Sequence, residues 1–485
     1  MRNLCGRAFL CFVLIACSYA NAGAQSASGK LSPVVREFVK YDDAVIALTH
    51  VRVIDGTGAV ARPDQTLIIR DGKILALGDA TSTAIPAGAK VLDLADHAVF
   101  PGIVGMHNHL YYPQPTNIEG RRVRGVLQFD QQSSYSFPRL YLAGGVTSLR
   151  TTASAEPYAD INLKTWIDEG KISGPKIHGP YMEGKGNFRL QVHELSGPED
   201  ARKTAEFWAD QGVTSFKAFM HITRDELKEV IDVAHKRGLT VTGHLCSVTF
   251  REAAELGIDD IEHGFGNDSE WEPGKKPGLC PPPSAGKDAR LDKLTPEDPQ
   301  LRELFQILIQ HHVAITSTLI PYEDPQPLSQ RVLNAMSPQA QAGYMAQRID
   351  RAGQPLHPES VVREVERERA FVKAGGLLLS GPDPTGIGGT LAGFGDQRQM
   401  ELLVEGGFTP IEAIHISTEN GAKFLHEDDR IGTLQVGKVA DLVVVRGDPS
   451  VKISDVENVE VVFKDGVGYD SARLMESVRG LVGLR

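Results

Sequence analysis

A handful of positions in this sequence carry side chains that can hold a metal ion or move a proton. His107-Asn108-His109 sets two imidazoles two residues apart. In extended backbone such residues point the same way, so both can reach one ion. Lys217, His244, His263 and Asp383 add further nitrogen and oxygen donors. Singly, each has an ordinary explanation. A strand-end histidine is most often a hydrogen-bonded structural residue, Lys217 a solvated lysine, and Asp383, within Gly381-Pro382-Asp383-Pro384, a turn residue. Their joint placement on the elements around them is what gives the set weight.

Those elements alternate. Apolar runs predict strands at Phe100–Val104, Val146–Thr151, Pro175–Gly179, Ser215–Phe219, Thr240–Gly243, Asp260–Glu262, Val313–Thr318 and Leu377–Ser380. Helical patterns lie between them. Thr223 with Glu226 predicts a capping box ahead of the stripe Leu227, Val230, Ile231 and Ala234, with Gly238 as the stop. Thr249 with Glu252 and Gly257 repeats the design, and Thr409-Pro410 with Glu412 opens another helix. Eight strand–helix units in series predict an α/β fold, a (β/α)8 TIM-like barrel. The six candidate groups then fall at the C-terminal ends of strands one, four, five, six and eight, where barrel enzymes place their active sites. Long Pro-rich stretches, Asn267–Gln300 and Pro321–Gln354, follow strands six and seven and are expected to shape a substrate pocket. Tyr181, Asn187, Arg189, His221 and Tyr322 lie near predicted strand ends and are candidate substrate contacts. Arg189 could pair with a carboxylate, or be a surface arginine of a Gly-rich loop.

Both ends of the mature chain read as short strands and turns: Val45 to Leu94, and Ile431 to Gly468. Neither can bury a core alone, so the two are expected to pair into one small β-sandwich. The resulting division is a signal peptide at 1–24, the N-terminal sandwich part at 25–100, the barrel at 101–425 and the C-terminal sandwich part at 426–485.

The 485-residue chain has the composition of a folded protein and a formal net charge of -11. That sign repels nucleic acid, and no basic stripe or aromatic RNA motif offsets it, so no nucleic-acid partner is expected. A homo-oligomer is compatible with the sequence. Arg2 and Arg7, the apolar run Ala8 to Ala16, and Ala22-Gly23-Ala24 have the order of a cleaved export signal. Leu14-Ile15-Ala16-Cys17 also resembles a lipoprotein box, with Cys17 as the lipid carrier. Either reading exports the protein, to the periplasm or the medium. No later stretch is apolar for long enough to span a bilayer. Three of the five cysteines precede residue 24, leaving Cys246 and Cys280, for which two unpaired thiols are the simpler expectation.

Several segments make the chain resemble the amidohydrolase superfamily from about Val45 to Asp470. They are Pro101 to His109, Ile261-Glu262-His263-Gly264, and Gly432 to Leu442. Ser215 to Met220 resembles the lysine motif of hydantoinases, while Glu262-His263-Gly264 and the tail are more similar to imidazolonepropionase and prolidase-like dipeptidases. The resemblance implies two divalent ions, Zn2+ by the donor types. His107, His109 and Asp383 would hold the first and His244 and His263 the second. Lys217, N-carboxylated by CO2, would bridge them. It further implies hydrolysis of an amide or peptide C–N bond by a hydroxide held between the ions, with Asp383 relaying the proton. The implied substrate is small, a dipeptide or N-acyl amino acid.

There are departures. Hydantoinases place a Tyr shortly after the lysine, where this chain has Met220-His221-Ile222. Strand eight ends in Gly-Pro-Asp, which stiffens the backbone at Asp383. Cyclic-amide opening, deamination, and lactone or phosphoester hydrolysis remain alternatives, as does an exported metal-binding protein without activity.

Overall fold

Gly102 divides two sheets. The expected strand Phe100–Val104 is in fact two: His97–Pro101 belongs to the terminal β-domain, and Ile103–Asn108 opens the barrel. The imidazole of His107 therefore sits inside a strand rather than after one. The computed structural model describes residues 30–115, 118–119, 122–123, 128–184, 193–281, 293–323, 327–351, 359–384 and 390–483. The segment expected to be a signal, 1–24, lies outside them.

The barrel strands are β1 (Ile103–Asn108), β2 (Val146–Thr151), β3 (Lys176–His178 continued by Pro180–Gly184), β4 (Ser215–Ala218), β5 (Thr240–Gly243), β6 (Asp260–Glu262), β7 (Ala314–Ser317) and β8 (Leu378–Ser380). Each pairs in parallel with the next from β1 to β8. In β3 the first half pairs with β2 and the second with β4, the change falling at Gly179. Among the described residues there is no ladder between β8 and β1. The ends meet where the Asp383 N–H donates to the His107 carbonyl at 3.1 Å. A Cβ on Gly381 would stand 2.3 Å from the His107 nitrogen, so only glycine permits that approach. The architecture is a TIM-like barrel.

The capping boxes at Thr223, Thr249 and Thr409 all form, and each satisfies orphan N–H groups at a helix start. Gly257 ends its helix in the left-handed conformation at φ 92°. Two features went unforeseen. An antiparallel hairpin, Tyr111–Pro115 with Gln128–Gln132, follows β1, and a helix, Pro338–Arg351, lies within the segment after β7.

Both chain ends join in one nine-stranded sheet, with Leu442–Arg446 antiparallel to His97–Pro101. The sheet curls until its far turns touch: a Cβ on Gly466 would lie 2.5 Å from the Gly72 Cα. Ile46, Leu48, Val99, Leu442, Val444 and Phe463 fill the interior. Among the described residues no helix is long and apolar enough to cross a membrane.

Candidate metal centre

Strand periodicity delivers the donors. His107 and His109 share one side of β1 and its extension, and their rings meet edge-on at 5.2 Å. Lys217 comes from β4, His244 follows β5, His263 follows β6 and Asp383 follows β8. The structure brings all six to one end of the barrel. The His107 and His263 rings lie 4.6 Å apart, and those of His263 and His244 4.4 Å apart. The Asp383 Oδ1 stands 3.0 Å from His109 Nε2 and 3.4 Å from His107 Nε2. One donor atom from each of His107, His263 and Asp383 lies within 4.8 Å of the others, spacing and chemistry that suit a divalent cation. Among the described residues no other group of three such donors is found.

Two of these residues hold backbone conformations that side chains rarely adopt, His263 at φ 71° and Asp383 at φ 47°. Each costs on the order of 1–3 kcal/mol and persists only when its surroundings impose it. A stiffened backbone at Asp383 was expected from Gly-Pro-Asp; a left-handed one was not. The strain sits where the carboxylate must turn toward the imidazoles.

Every imidazole is fixed through one ring nitrogen. Nδ1 of His107 meets Glu262 Oε2 at 2.6 Å, Nδ1 of His109 the Ala153 carbonyl at 3.3 Å, and Nδ1 of His263 the Thr318 hydroxyl at 2.8 Å. His244 uses Nε2, 3.4 Å from the Asn267 amide. Such outer partners set ring orientation and tautomer in metal sites.

Below lies an ionic layer. Arg150, fully buried on β2, donates to Asp260 at 2.5 Å, to Glu262 at 2.9 Å and to the Met106 carbonyl at 2.9 Å. Thr242 and Thr316 hydroxyls donate to the same carboxylates. Lys217 Nζ reaches Glu262 Oε1 at 3.8 Å.

Burial sets most of the protonation. It pushes the Lys217 ammonium down to about 8 against the pull of Glu262 and Asp383, and the His244 imidazole down to about 3. His263 is also driven well below the usual imidazole range by burial, reinforced by His244 and His107. For His107, burial acts the same way, but the Glu262 and Asp383 carboxylates outweigh it and leave it raised. Burial would raise Asp383 and Glu262. The histidines around Asp383, and Lys217, His107 and Arg150 around Glu262, instead hold both well below the carboxylate range.

The other sequence candidates fall differently. Tyr322 is turned inward, its hydroxyl donating to the His263 carbonyl at 3.0 Å. His221 Nδ1 lies 3.3 Å from Cys280 Sγ. Tyr181 pairs in register with Phe216, and Asn187 and Arg189 lie outside the described residues. The expectation of two unpaired thiols is wrong. Cys246 and Cys280 are joined by a disulfide, with Cα atoms 5.1 Å apart. Sequence carries no such distance; the loop after β6 folds back along the end of β5. Ser269 donating to the Cys246 carbonyl at 2.6 Å and Lys275 to that of Ser247 at 2.8 Å hold it there.

Arg150, Asp260, Asn267 and Thr318 escaped sequence reasoning, and Glu262 was only part of a motif. One signal was readable. Asp260 and Glu262 flank Ile261 in a strand, so both face the barrel interior and demand a buried cation.

With this geometry in hand, comparisons with known proteins place the chain. It matches the Amidohydrolase family over residues 98–274 and 386–467, more than half its length, and belongs to that family. An allantoinase of Streptomyces avermitilis is 29% identical over 181 residues, 37% of this chain and 34% of that protein. The chain thus matches only about a third of that relative's length. Among solved structures, a putative prolidase from Bifidobacterium longum superimposes with a TM-score of 0.62 at 22% identity, covering 91% of this chain and 99% of its own. A Xaa-Pro dipeptidase with bound methionine gives a TM-score of 0.64 at 19% identity, covering 88% and 100%. At these identities the likeness concerns the fold.

Proposed function

We propose that this protein is an exported metal-dependent hydrolase that cleaves the amide or peptide C–N bond of a small substrate, a dipeptide or N-acyl amino acid. The observation that carries the reading is the convergence of His107, His109, Lys217, His244, His263 and Asp383 at the catalytic end of a barrel. The prolidase and dipeptidase among the structural neighbours support it.

His107, His109 and Asp383 would hold one divalent ion and His244 and His263 a second, with Zn2+ favoured by the nitrogen and oxygen donors. Bound there, the ions would supply Lewis acidity and lower the pKa of water. Lys217 would bridge them as its N-carboxylate. Only a neutral amine adds CO2, and burial brings Lys217 down to about 8, so a useful neutral fraction exists near neutral pH. Asp383 stays ionised, held down by its histidines, and its carboxylate can take a proton from the attacking water. The same oxygen then returns that proton to the leaving nitrogen. Glu262, Thr318 and Asn267 keep the imidazoles oriented throughout.

Export rests on Arg2, Arg7, the apolar run to Ala16 and Ala22-Gly23-Ala24, and the Cys246–Cys280 disulfide suits an oxidising compartment. A mass of the mature N-terminus separates cleavage before Gln25 from lipidation at Cys17. The allantoinase match favours a second reading, opening of a cyclic amide.

One experiment tests the function: elemental analysis of purified protein together with turnover of dipeptides, N-acyl amino acids and cyclic ureides. Between one and two metal ions per chain with hydrolysis of a linear amide is expected. Protein with less than one ion, or an Asp383→Asn variant with full activity, overturns the reading. Activity confined to cyclic ureides selects the second.

A further inference from the structure

Against the donor histidines lies a small apolar cluster separate from the main core: Tyr111, Ala153 and Phe219, with Ala155 and Met220 packed against it. Tyr111 opens the hairpin strand two residues beyond His109, and Phe219 follows β4 two residues beyond Lys217. The Tyr111 ring stands 4.9 Å from that of His109, and the Phe219 ring 5.0 Å from that of His244. Tyr111 and Phe219 thus each lie against a different donor histidine. Ala153, in the same cluster, contributes only a methyl, while its carbonyl anchors His109.

We infer, resting on the amide-hydrolase reading above, that Tyr111, Ala153 and Phe219 form a specificity wall that selects substrates with an uncharged, apolar side chain beside the scissile bond. A carbonyl placed at the donor cluster brings its neighbouring side chain against this wall. None of the three residues carries a charge, so a charged side chain there would lose its hydration without gaining an ion pair. Ala153 is the smallest of the three, so a larger residue there takes up room beside the two rings. The three residues are specificity residues, and the chemistry stays with Asp383 and the donors.

The test uses full-length metal-loaded protein and two panels. Dipeptides carrying Ala, Leu, Phe, Asp or Lys at each position report kcat/KM, and amino-acid hydroxamates with the same side chains report Kd by calorimetry. Leu and Phe are expected to exceed Asp and Lys by at least about 10-fold in both panels, the scale of discrimination a hydrophobic pocket provides. Ala153→Leu should lower kcat/KM for Phe substrates at least about 10-fold more than for Ala substrates, mainly through KM. Metal content and Tm check that it folds, and Phe219→Leu, relaxing the preference for Phe over Leu, serves if it does not. Equal handling of charged and apolar side chains, or an equal loss on all substrates in a folded variant, overturns the wall. Hydroxamates sorted by apolarity without cleavage of any amide would keep the wall and overturn the hydrolase reading.

Discussion

Inside the barrel, Arg150 answers Asp260 and Glu262 within one layer, while above it His244, His263, Lys217 and Asp383 meet with only one acid among them. In the lower layer each charge has a partner, and threonine hydroxyls take up further lone pairs. In the upper layer burial strips His244 and His263 of their protons, while His107, held raised by Glu262 and Asp383, faces the Asp383 carboxylate. The lower layer gathers two carboxylates on one guanidinium, with Glu262 also reaching up to His107. The upper one is a candidate ligand set, held in strained backbone at His263 and Asp383.

The comparison predicts opposite responses to substitution. Asp383→Asn should reduce kcat by about 10²–10⁴-fold, the range for loss of a general acid–base. Stability of the metal-free protein should hardly change, because Asn tolerates a left-handed backbone as well as Asp does. Parallel measurement of kcat and of Tm after chelation checks both halves. A variant that unfolds instead would erase the distinction between the layers.

Arg150→Met should do the reverse. Removing the cation strands two carboxylates in the interior, and breaking a buried ion pair in that way costs about 3–5 kcal/mol. Urea unfolding should show that loss, and adding Asp260→Asn and Glu262→Gln should recover part of it, since the stranded charges are then gone. An Arg150→Met protein as stable as the wild type would mean that the layer is not organised around its guanidinium.

What sequence could and could not tell divides along the same line. All eight barrel strands, the capping boxes at Thr223, Thr249 and Thr409, and the gathering of the six candidate donors were legible, because period-two alternation and capping chemistry are local. The split of Phe100–Val104 at Gly102 was not, since one apolar run serves two sheets and nothing in it marks the change of partner. Nor were the outer partners. Asn267 meets His244, and Cys280 meets Cys246, only because the loop after β6 turns back across the barrel mouth, a matter of tertiary path. Arg150 was legible in principle, as the answer to two interior acids, but only once the interior face was known.

That turned-back loop sharpens the contrast further, since here the upper layer is tied from outside. Cys246 lies two residues past His244, and the disulfide closes a separation of 34 residues. A Cys246→Ser/Cys280→Ser protein should lose about 2–4 kcal/mol of stability, the usual contribution of a native disulfide. Its metal affinity should fall with it, because Asn267 is carried on the same loop. Loss of stability with unchanged metal affinity would show that the tether serves the fold alone.

A third treatment of buried charge predicts the smallest effect. Among the described residues, Asp160 and Asp396 have no cation beside them. Asp160 is met by Ser154 at 2.5 Å and Gln132 at 2.9 Å, and Asp396 by the Gly393 N–H at 3.0 Å and Asn108 at 3.3 Å. Burial pushes both carboxyls up to about 7, the hydrogen bonds offsetting it only in part. Between the ordinary carboxylate value near 4 and that raised value, the folded protein holds protons that the unfolded chain has released. Their contribution is therefore complete below about 4 and is lost as pH rises through 7. His244 and His263, pushed down by burial, act in the opposite direction below their ordinary range, so the carboxyl contribution has to be read as a difference. Asp160→Asn/Asp396→Asn, which mimics the neutral acids at every pH, should match the wild-type Tm near pH 4 and exceed it increasingly toward pH 7. Parallel Tm curves across that interval would mean that these two carboxyls are already ionised in the fold, and that the barrel buries negative charge without a partner outside its ionic layer.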